Sequence, residues 1–249
     1  MSAHAESALA EVPWTERILL GSFTPASDHD WPGRRAATIY LLGCPWRCAY
    51  CHNPQLQKRG TAPALSWSRI AAKLTASRDT ISGVVFSGGE PTTDRTLPEA
   101  IAAVKALGLP VGLHTSGAYP ERLETLLPQL DWVGFDLKTD YESYDKLTGA
   151  PGSAARATQS ARLIIASGVA HEFRLTWHHQ VINEESALLA AHFAQHLGAR
   201  RFVLQAFRSE GVANPTLAPE SMPSAELVAQ LRALFADFEV RGDICGLAD

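Results

Sequence analysis

Three cysteines, Cys44, Cys48 and Cys51, fall within eight residues in the string GCPWRCAYCHNP, at a Cys-x3-Cys-x2-Cys spacing. The fourth, Cys245, stands alone near the C-terminus and is expected to be incidental. Clustered thiols in a chain that does not open on an export signal point to metal ligation or redox chemistry rather than disulfides. A cubane iron–sulfur cluster served by three thiolates keeps an open coordination position on its fourth iron. A cluster that only stores electrons takes four protein thiolates, whereas the vacancy admits a substrate or cosubstrate.

Spacing alone leaves other chemistries open. Cys48-Ala-Tyr-Cys51-His52 matches the c-type haem attachment pattern, but that attachment goes with export, and only Met1 and Met222 could serve as thioether ligands. Zinc held by the three cysteines and His52 would need adjacent residues, Cys51 and His52, as ligands, and the usual second ligand pair is missing. A Cys48/Cys51 redox pair leaves Cys44 unexplained. An iron–sulfur cluster uses all three.

The elements around the cysteines alternate. Residues 36–42, AATIYLL, form an apolar run that fits a buried strand delivering the cysteines at its C-terminal end. Further strands are expected at 83–87, 110–114, 132–137, 171–176 and 201–207. Helical spacing appears at 67–77, with Ser66 as its N-cap, and at 97–107, 120–127, 153–167, 184–197 and 225–238. Residues 139–152 read as a loop rich in Tyr, Gly and Pro. Six β-α units imply a parallel sheet with right-handed crossovers, and six rather than eight suggest an incomplete (βα)6 TIM-like barrel. A doubly wound sheet is the competing architecture. In both, function gathers at the C-terminal strand ends, where the cysteines, GGEP, HTSG, DLK and RLTWHH fall. Residues 1–35 lack clear periodicity and read as an N-terminal arm, with 36–249 as the functional domain.

Composition narrows the class. The 249 residues are 46% hydrophobic and 19% charged, ordinary globular usage. A net charge of -4 argues against a nucleic-acid footprint and leaves only local basic patches. The N-terminus carries no secretory pattern, and no apolar run reaches a membrane span of about 18 residues. A soluble, cytoplasmic protein is expected, with no membrane or nucleic-acid partner.

The Cys44/Cys48/Cys51 spacing, with aromatic Tyr50 before the third cysteine and Gly88-Gly89-Glu90-Pro91 one strand and helix later, resembles the radical S-adenosylmethionine (SAM) superfamily. CPWRCAYCHNP resembles the activating enzymes of glycyl-radical enzymes, and is most similar to those of anaerobic ribonucleoside-triphosphate reductases. The likeness runs from about Thr38 to Phe207 and includes the HTSGAYP, DWVGFDLK and Leu147-Thr148-Gly149 segments. It implies one [4Fe-4S] cluster on the three cysteines, with SAM chelating the open iron through its amino and carboxylate groups. One electron from the cluster would break SAM into methionine and a 5′-deoxyadenosyl radical that takes a hydrogen from a glycine. The implied partners are a glycyl-radical enzyme, specifically the anaerobic ribonucleotide reductase, and a flavodoxin or ferredoxin as electron donor. The remaining classes are a radical SAM enzyme acting on a small molecule and a zinc-stabilised binding module.

On that resemblance Tyr50, Gly88, Gly89, Glu90, Ser116, Asp136, Lys138 and Arg174 are expected at the cofactors, with no protein general base. Gly88 and Gly89 let the chain turn sharply and let SAM approach the backbone, and Glu90 accepts from the SAM ammonium. Asp136 and Lys138 alternate with Leu137, so both face the barrel mouth, where Lys138 neutralises the methionyl carboxylate. Ser116 is preferred over His114 for the ribose hydroxyls. Arg174, inside an apolar strand, points into the barrel to bind SAM or to pair with Asp136. His178 and His179 line the mouth or sit in a polar loop. Gln205 stands where many activating enzymes have a histidine.

Overall fold

The computed structural model describes residues 12–60, 65–212, 214–217 and 222–242. Cys245 and residues 1–11 of the expected arm lie outside the described residues. Eight strands form one sheet: β1 (Leu20–Trp31), β2 (Arg34–Leu41), β3 (Gly83–Gly88), β4 (Val111–Thr115), β5 (Trp132–Asp136), β6 (Ala170–Trp177), β7 (Arg201–Ala206) and β8 (Asp237–Arg241). The helices are α1 (Trp14–Arg17), α2 (Trp67–Ser77), α3 (Leu97–Ala106), α4 (Pro120–Leu126), α5 (Tyr141–Thr148), α6 (Ser153–Ser167), α7 (Glu184–Leu197) and α8 (Ala225–Leu234). Strands lie in space in chain order, β1 antiparallel to β2 and every later pair parallel. A doubly wound sheet reverses its order at a switch point. Here nothing reverses, and the fold is a half-barrel. Among the described residues, no helix is long and apolar enough to cross a membrane.

Alternation along each strand separates two faces. Outward residues such as Ile39, Phe86, Leu113, Phe135, Phe173 and Leu204 pack against Ile70, Leu74, Ile101, Leu123, Ile164 and Leu231 of the helices in the main core. The lumen face is mainly polar, with Val203 and a second, small cluster of Trp31, Ala36, Val85 and Trp132 as its apolar parts.

That small cluster corrects the reading of residues 20–31 as part of an irregular arm. They form β1, and Trp31 at its end reaches into the lumen to stack on Trp132, with ring centroids 5.5 Å apart. Gly83 and Gly112 make the room, because a Cβ at either would come within 3.1 Å of the Trp31 ring. The Asp30 carbonyl bonds His114 Nε2 at 2.7 Å, and Thr38 donates to the Asp30 carboxylate at 2.7 Å. β1 thus floors the half-barrel. Its sequence conceals this, because three register irregularities break the alternation and Pro25 sits in its interior, which only an edge strand tolerates.

Two more differences have local causes. Residues 141–148, read as loop, form α5: the Asp140 carboxylate caps the amides of Glu142 and Ser143 at 3.0 Å each, and Gly149 ends the helix at a φ of 63°. The helix expected through residue 238 stops at Leu234, and 237–241 become β8. DFEVR alternates as a strand should. Phe238 and Val240 pack on the main core, while Glu239 and Arg241 join Arg201 around the Glu172 carboxylate. Burial pushes Glu172 up, but hydrogen bonds from Arg241 at 2.8 and 3.0 Å and the Arg174 charge bring it below its ordinary range.

Because Trp31 is 4% exposed and rests on glycines, Trp31→Ala leaves a hole that backbone cannot fill. The expected cost is about 3 kcal/mol. Urea unfolding of the metal-free protein measures it, and an unchanged midpoint would rule out the floor.

Candidate functional site

The cysteine loop follows β2 and is tied down from several sides. Gly43 and Cys44 donate their amides to the carbonyls of Leu56 and Gln57 at 2.7 and 3.1 Å, and Arg47 donates its amide to Thr148 O at the end of α5 at 2.7 Å. Leu41 and Gly43 carbonyls accept from Gly89 and Glu90 at 3.0 and 2.8 Å. Contact here is tight enough to demand glycine. A Cβ on Gly88 would lie 2.3 Å from Leu41 O, and one on Gly89 2.4 Å from Gly43 O. The atoms that exclude a side chain therefore belong to the end of β2 at Gly88 and to the start of the cysteine loop at Gly89, and Gly88 also holds a φ of 125°.

Glu90 is 1% exposed and differs from its expected role. Its Oε1 accepts from the Thr92 amide, the Thr92 hydroxyl and the Thr115 hydroxyl at 3.1, 2.7 and 2.8 Å. Its Oε2 accepts from the amide and hydroxyl of Ser116 at 2.8 and 2.7 Å. Five donors saturate a carboxylate with about four lone-pair sites, which leaves none for a SAM ammonium in this arrangement. Glu90 instead clamps the end of β3 to the end of β4, and Ser116 directs its hydroxyl proton to that clamp.

Further round the lumen, the Asp136 carboxylate accepts from Arg174 Nε at 2.8 Å and lies 3.4 Å from Lys138 Nζ. Arg174, 7% exposed, fits because Gly134 leaves the space: a Cβ there would come within 2.9 Å of the guanidinium. Of the two roles expected for Arg174, pairing with Asp136 is the one seen. Burial pushes Asp136 up, yet the Arg174 and Lys138 charges overcome it and hold the carboxyl well below its usual range. Lys138 is opposed by burial and raised overall by Asp136, Tyr50 and Cys48. Its ammonium lies 5.8 Å from the centroid of the Tyr50 ring, so Cys48, Tyr50, Asp136, Lys138 and Arg174 form one group. Leu137 packs into the main core, as alternation requires.

His114 is pushed down to about 4, first by burial and then by the Arg174 charge, and is neutral at pH 7. It bonds Asp30 and Ser87, so it belongs to the lumen floor. His178 is buried with its ring edge-on to Phe207 at 4.5 Å, and His179 is exposed and stacked on His178 at 5.2 Å. Gln205 is half-buried on the lumen face, in register with Thr176 and Arg241. Sequence reasoning missed Thr92 and Thr115 as partners of Glu90, and Tyr144, whose hydroxyl accepts from the Lys138 amide at 3.2 Å. Thr115 was the visible case, being next to Ser116 at the same strand end.

Single ions and cubanes make different demands on three thiolates. Around one zinc, bonds of about 2.3 Å bring the sulfurs within about 4 Å of each other. Among the described residues, no three His, Cys, Asp or Glu side chains are so arranged. Ligands of a cubane sit on separate irons and need no such convergence. His52, the remaining zinc candidate, turns its Nε2 to the Arg208 amide at 3.2 Å and its ring to Phe207 at 5.2 Å. The three thiols are free, and burial pushes Cys44 up to about 12 and Cys48 upward too, so ligation to iron would release their protons. In the same loop Trp46 Nε1 and the Tyr50 hydroxyl are buried without a partner from the chain. These residues fit an iron–sulfur cluster and do not fit a zinc ion.

Known proteins match the same stretch. A family model described as the Radical SAM superfamily matches residues 38–191. PqqA peptide cyclase of Gluconobacter oxydans is 30% identical over 164 residues, covering 64% of this chain and 45% of the relative. The pyruvate formate-lyase-activating enzyme of Clostridium pasteurianum is 30% identical over 126 residues, covering 48% of this chain and 52% of that enzyme. The chain spans about half the length of these curated relatives. Streptococcus suis SuiB bound to its precursor peptide SuiA is alike in fold, with a TM-score of 0.62 at 17% identity over 82% of this chain and 48% of that one.

Glu90→Gln turns an amide NH2 towards hydrogen-bond donors and removes the charge that holds them. The expected loss is about 3 kcal/mol in metal-free protein, measured by urea unfolding. A change below about 1 kcal/mol would show that the clamp is not what joins β3 to β4.

Proposed function

The chain belongs to the radical SAM superfamily, and we propose that within it this protein installs a glycyl radical on a partner enzyme, an anaerobic ribonucleoside-triphosphate reductase. Its cofactors are a [4Fe-4S] cluster and S-adenosylmethionine, which together supply a radical able to abstract a hydrogen atom. Cys44, Cys48 and Cys51 hold the cluster. Asp136, Lys138 and Arg174, with Tyr50, form the charged wall that receives SAM, and Lys138 is the cation for its carboxylate. Glu90 ties the end of β4 to the cysteine loop, and β5, which carries Asp136, pairs with β4. The setting proposed is the cytoplasm.

The observation that carries the reading is a polar lumen floored by Trp31 and Trp132, with the three thiols at its opposite, C-terminal end. The floor restricts approach to the end that bears the cysteines. The gap between the edge strands β1 and β8 suits an extended polypeptide better than a closed barrel would. The likeness to a pyruvate formate-lyase-activating enzyme supports a glycyl-radical partner. The longer alignment with PqqA peptide cyclase favours a second reading, in which the polypeptide is a peptide that leaves as a modified product.

Anaerobic incubation with SAM, a reductant and the co-expressed reductase is expected to produce a persistent glycyl-radical signal by electron paramagnetic resonance. SAM cleavage with no such signal, alongside a covalently altered peptide or small molecule, would overturn the reading. Cys48→Ala is expected to abolish iron and sulfide incorporation while the far-ultraviolet circular dichroism stays near that of the parent, because the ligand lies in a loop. Retained cluster absorbance in that variant would refute the ligand assignment.

A further inference from the structure

A groove of about 640 Å³ runs along the outside of the cysteine loop, with Cys44, Arg47, Lys58, Arg59, Thr93 and Tyr119 in its walls. Asp136, Lys138, Arg174 and Tyr50, the residues of the SAM wall, do not line it. One cluster ligand thus borders a second surface, separate from the lumen. That surface is strongly basic. Arg59 and Arg122 both donate to the Thr93 carbonyl, at 2.6 and 3.0 Å, which holds two guanidinium groups side by side. Arg122 also covers the Tyr119 ring at 4.3 Å, and exposed Arg95 lies with it beyond Thr92. Arg47 donates to the Cys44 and Trp46 carbonyls at 2.6 and 2.7 Å. The carboxylate ion-paired to Arg59 is Asp94, at 3.6 Å and buried.

Crowding like charges is unfavourable, and this chain carries a net charge of -4, so the patch runs against the overall balance. Carbonyls engage the Nη1 atoms of Arg47 and Arg59 in the groove and of Arg122 beside it, so the surface offers a broad positive field rather than a ring of free donors around one small anion. Such a field steers and orients an acidic protein surface. We infer that the groove beside Cys44 is the docking surface of a small acidic one-electron carrier protein. The inference rests on the proposed SAM chemistry, which consumes one electron per cleavage. The carrier is oxidised by one electron and the cluster reduced by one, with no bond or proton transferred. Electron transfer weakens steeply with distance, and a carrier seated here reaches the cluster through a single ligand while the lumen stays free for SAM and the target.

The test uses the anaerobically reconstituted holoenzyme and a flavodoxin as probe. Calorimetric affinity for oxidised flavodoxin is expected to fall with rising potassium chloride, and to fall about tenfold in the double variant Lys58→Glu/Arg95→Glu. Arg200→Glu, exposed just before β7 at the opposite end of the barrel, is expected to change it by less than about twofold. Dithionite-driven SAM cleavage is expected to be the same in the double variant as in the parent, while flavodoxin-driven cleavage drops with the affinity. Normal dithionite-driven cleavage with flavodoxin affinity insensitive to the reversal would overturn the docking surface alone. A double variant that binds flavodoxin normally but no longer binds the reductase would also overturn it. No cleavage by the parent with dithionite would overturn the SAM chemistry and this inference together.

Discussion

The Glu90 carboxylate joins the parts of the site that sequence separates most widely. Its side chain gathers donors from Thr92, Thr115 and Ser116, and its amide binds Gly43, the residue before the first cysteine. A single buried anion therefore sets the spacing between the ends of β2, β3 and β4. An ionised carboxylate survives such burial only when hydrogen bonds replace its hydration, and five do so here. The adjacent glycines are the steric counterpart, because a side chain at Gly88 would meet the end of β2 and one at Gly89 the backbone of Gly43 beside Cys44.

Around that clamp the half-barrel divides its surfaces by chemistry. The outward face is apolar and joins the helices, while the lumen face alternates into paired charges. Arg174 and Asp136 illustrate how buried charge is tolerated: each compensates the other, and Gly134 removes the Cβ that would separate them. Lys138 completes the group and brings positive charge towards Cys48 and Tyr50. Arg47, Lys58 and Arg59 add further basic side chains in the groove that Cys44 borders. The cysteine loop therefore has basic side chains on two sides, Lys138 towards Cys48 and Tyr50, and Arg47, Lys58 and Arg59 along that groove.

Much of this was legible from residue order. The cysteine spacing, the GGEP turn and the strand-helix alternation are local patterns, and they placed the three cysteines after a buried strand and gave the half-barrel. Pairing of Arg174 with Asp136 was one of two roles foreseen, since a guanidinium in an apolar strand needs an acid on the same face. Local signals also existed for two missed elements: Asp140 and Gly149 bracket α5 as caps, and DFEVR alternates as β8 does. Composition misled in the first case, and continuity with the preceding helical stripe in the second.

Other features had no local signature. β1 is irregular and polar, and it becomes a strand because the edge of β2 pairs with it and because two glycines on β3 and β4 accept Trp31. The saturation of Glu90 by threonine and serine donors depends on strand ends that meet only in the folded sheet. So does the convergence of Arg59 and Arg122 on one carbonyl, from residues 63 positions apart by their numbers. The sequence by itself determined which side chains can ligate iron and which segments alternate, because those properties follow from residue type and period. Only the tertiary structure decided what each buried polar group binds, since hydrogen bonds and ion pairs act over a few ångströms and depend on which strands lie side by side.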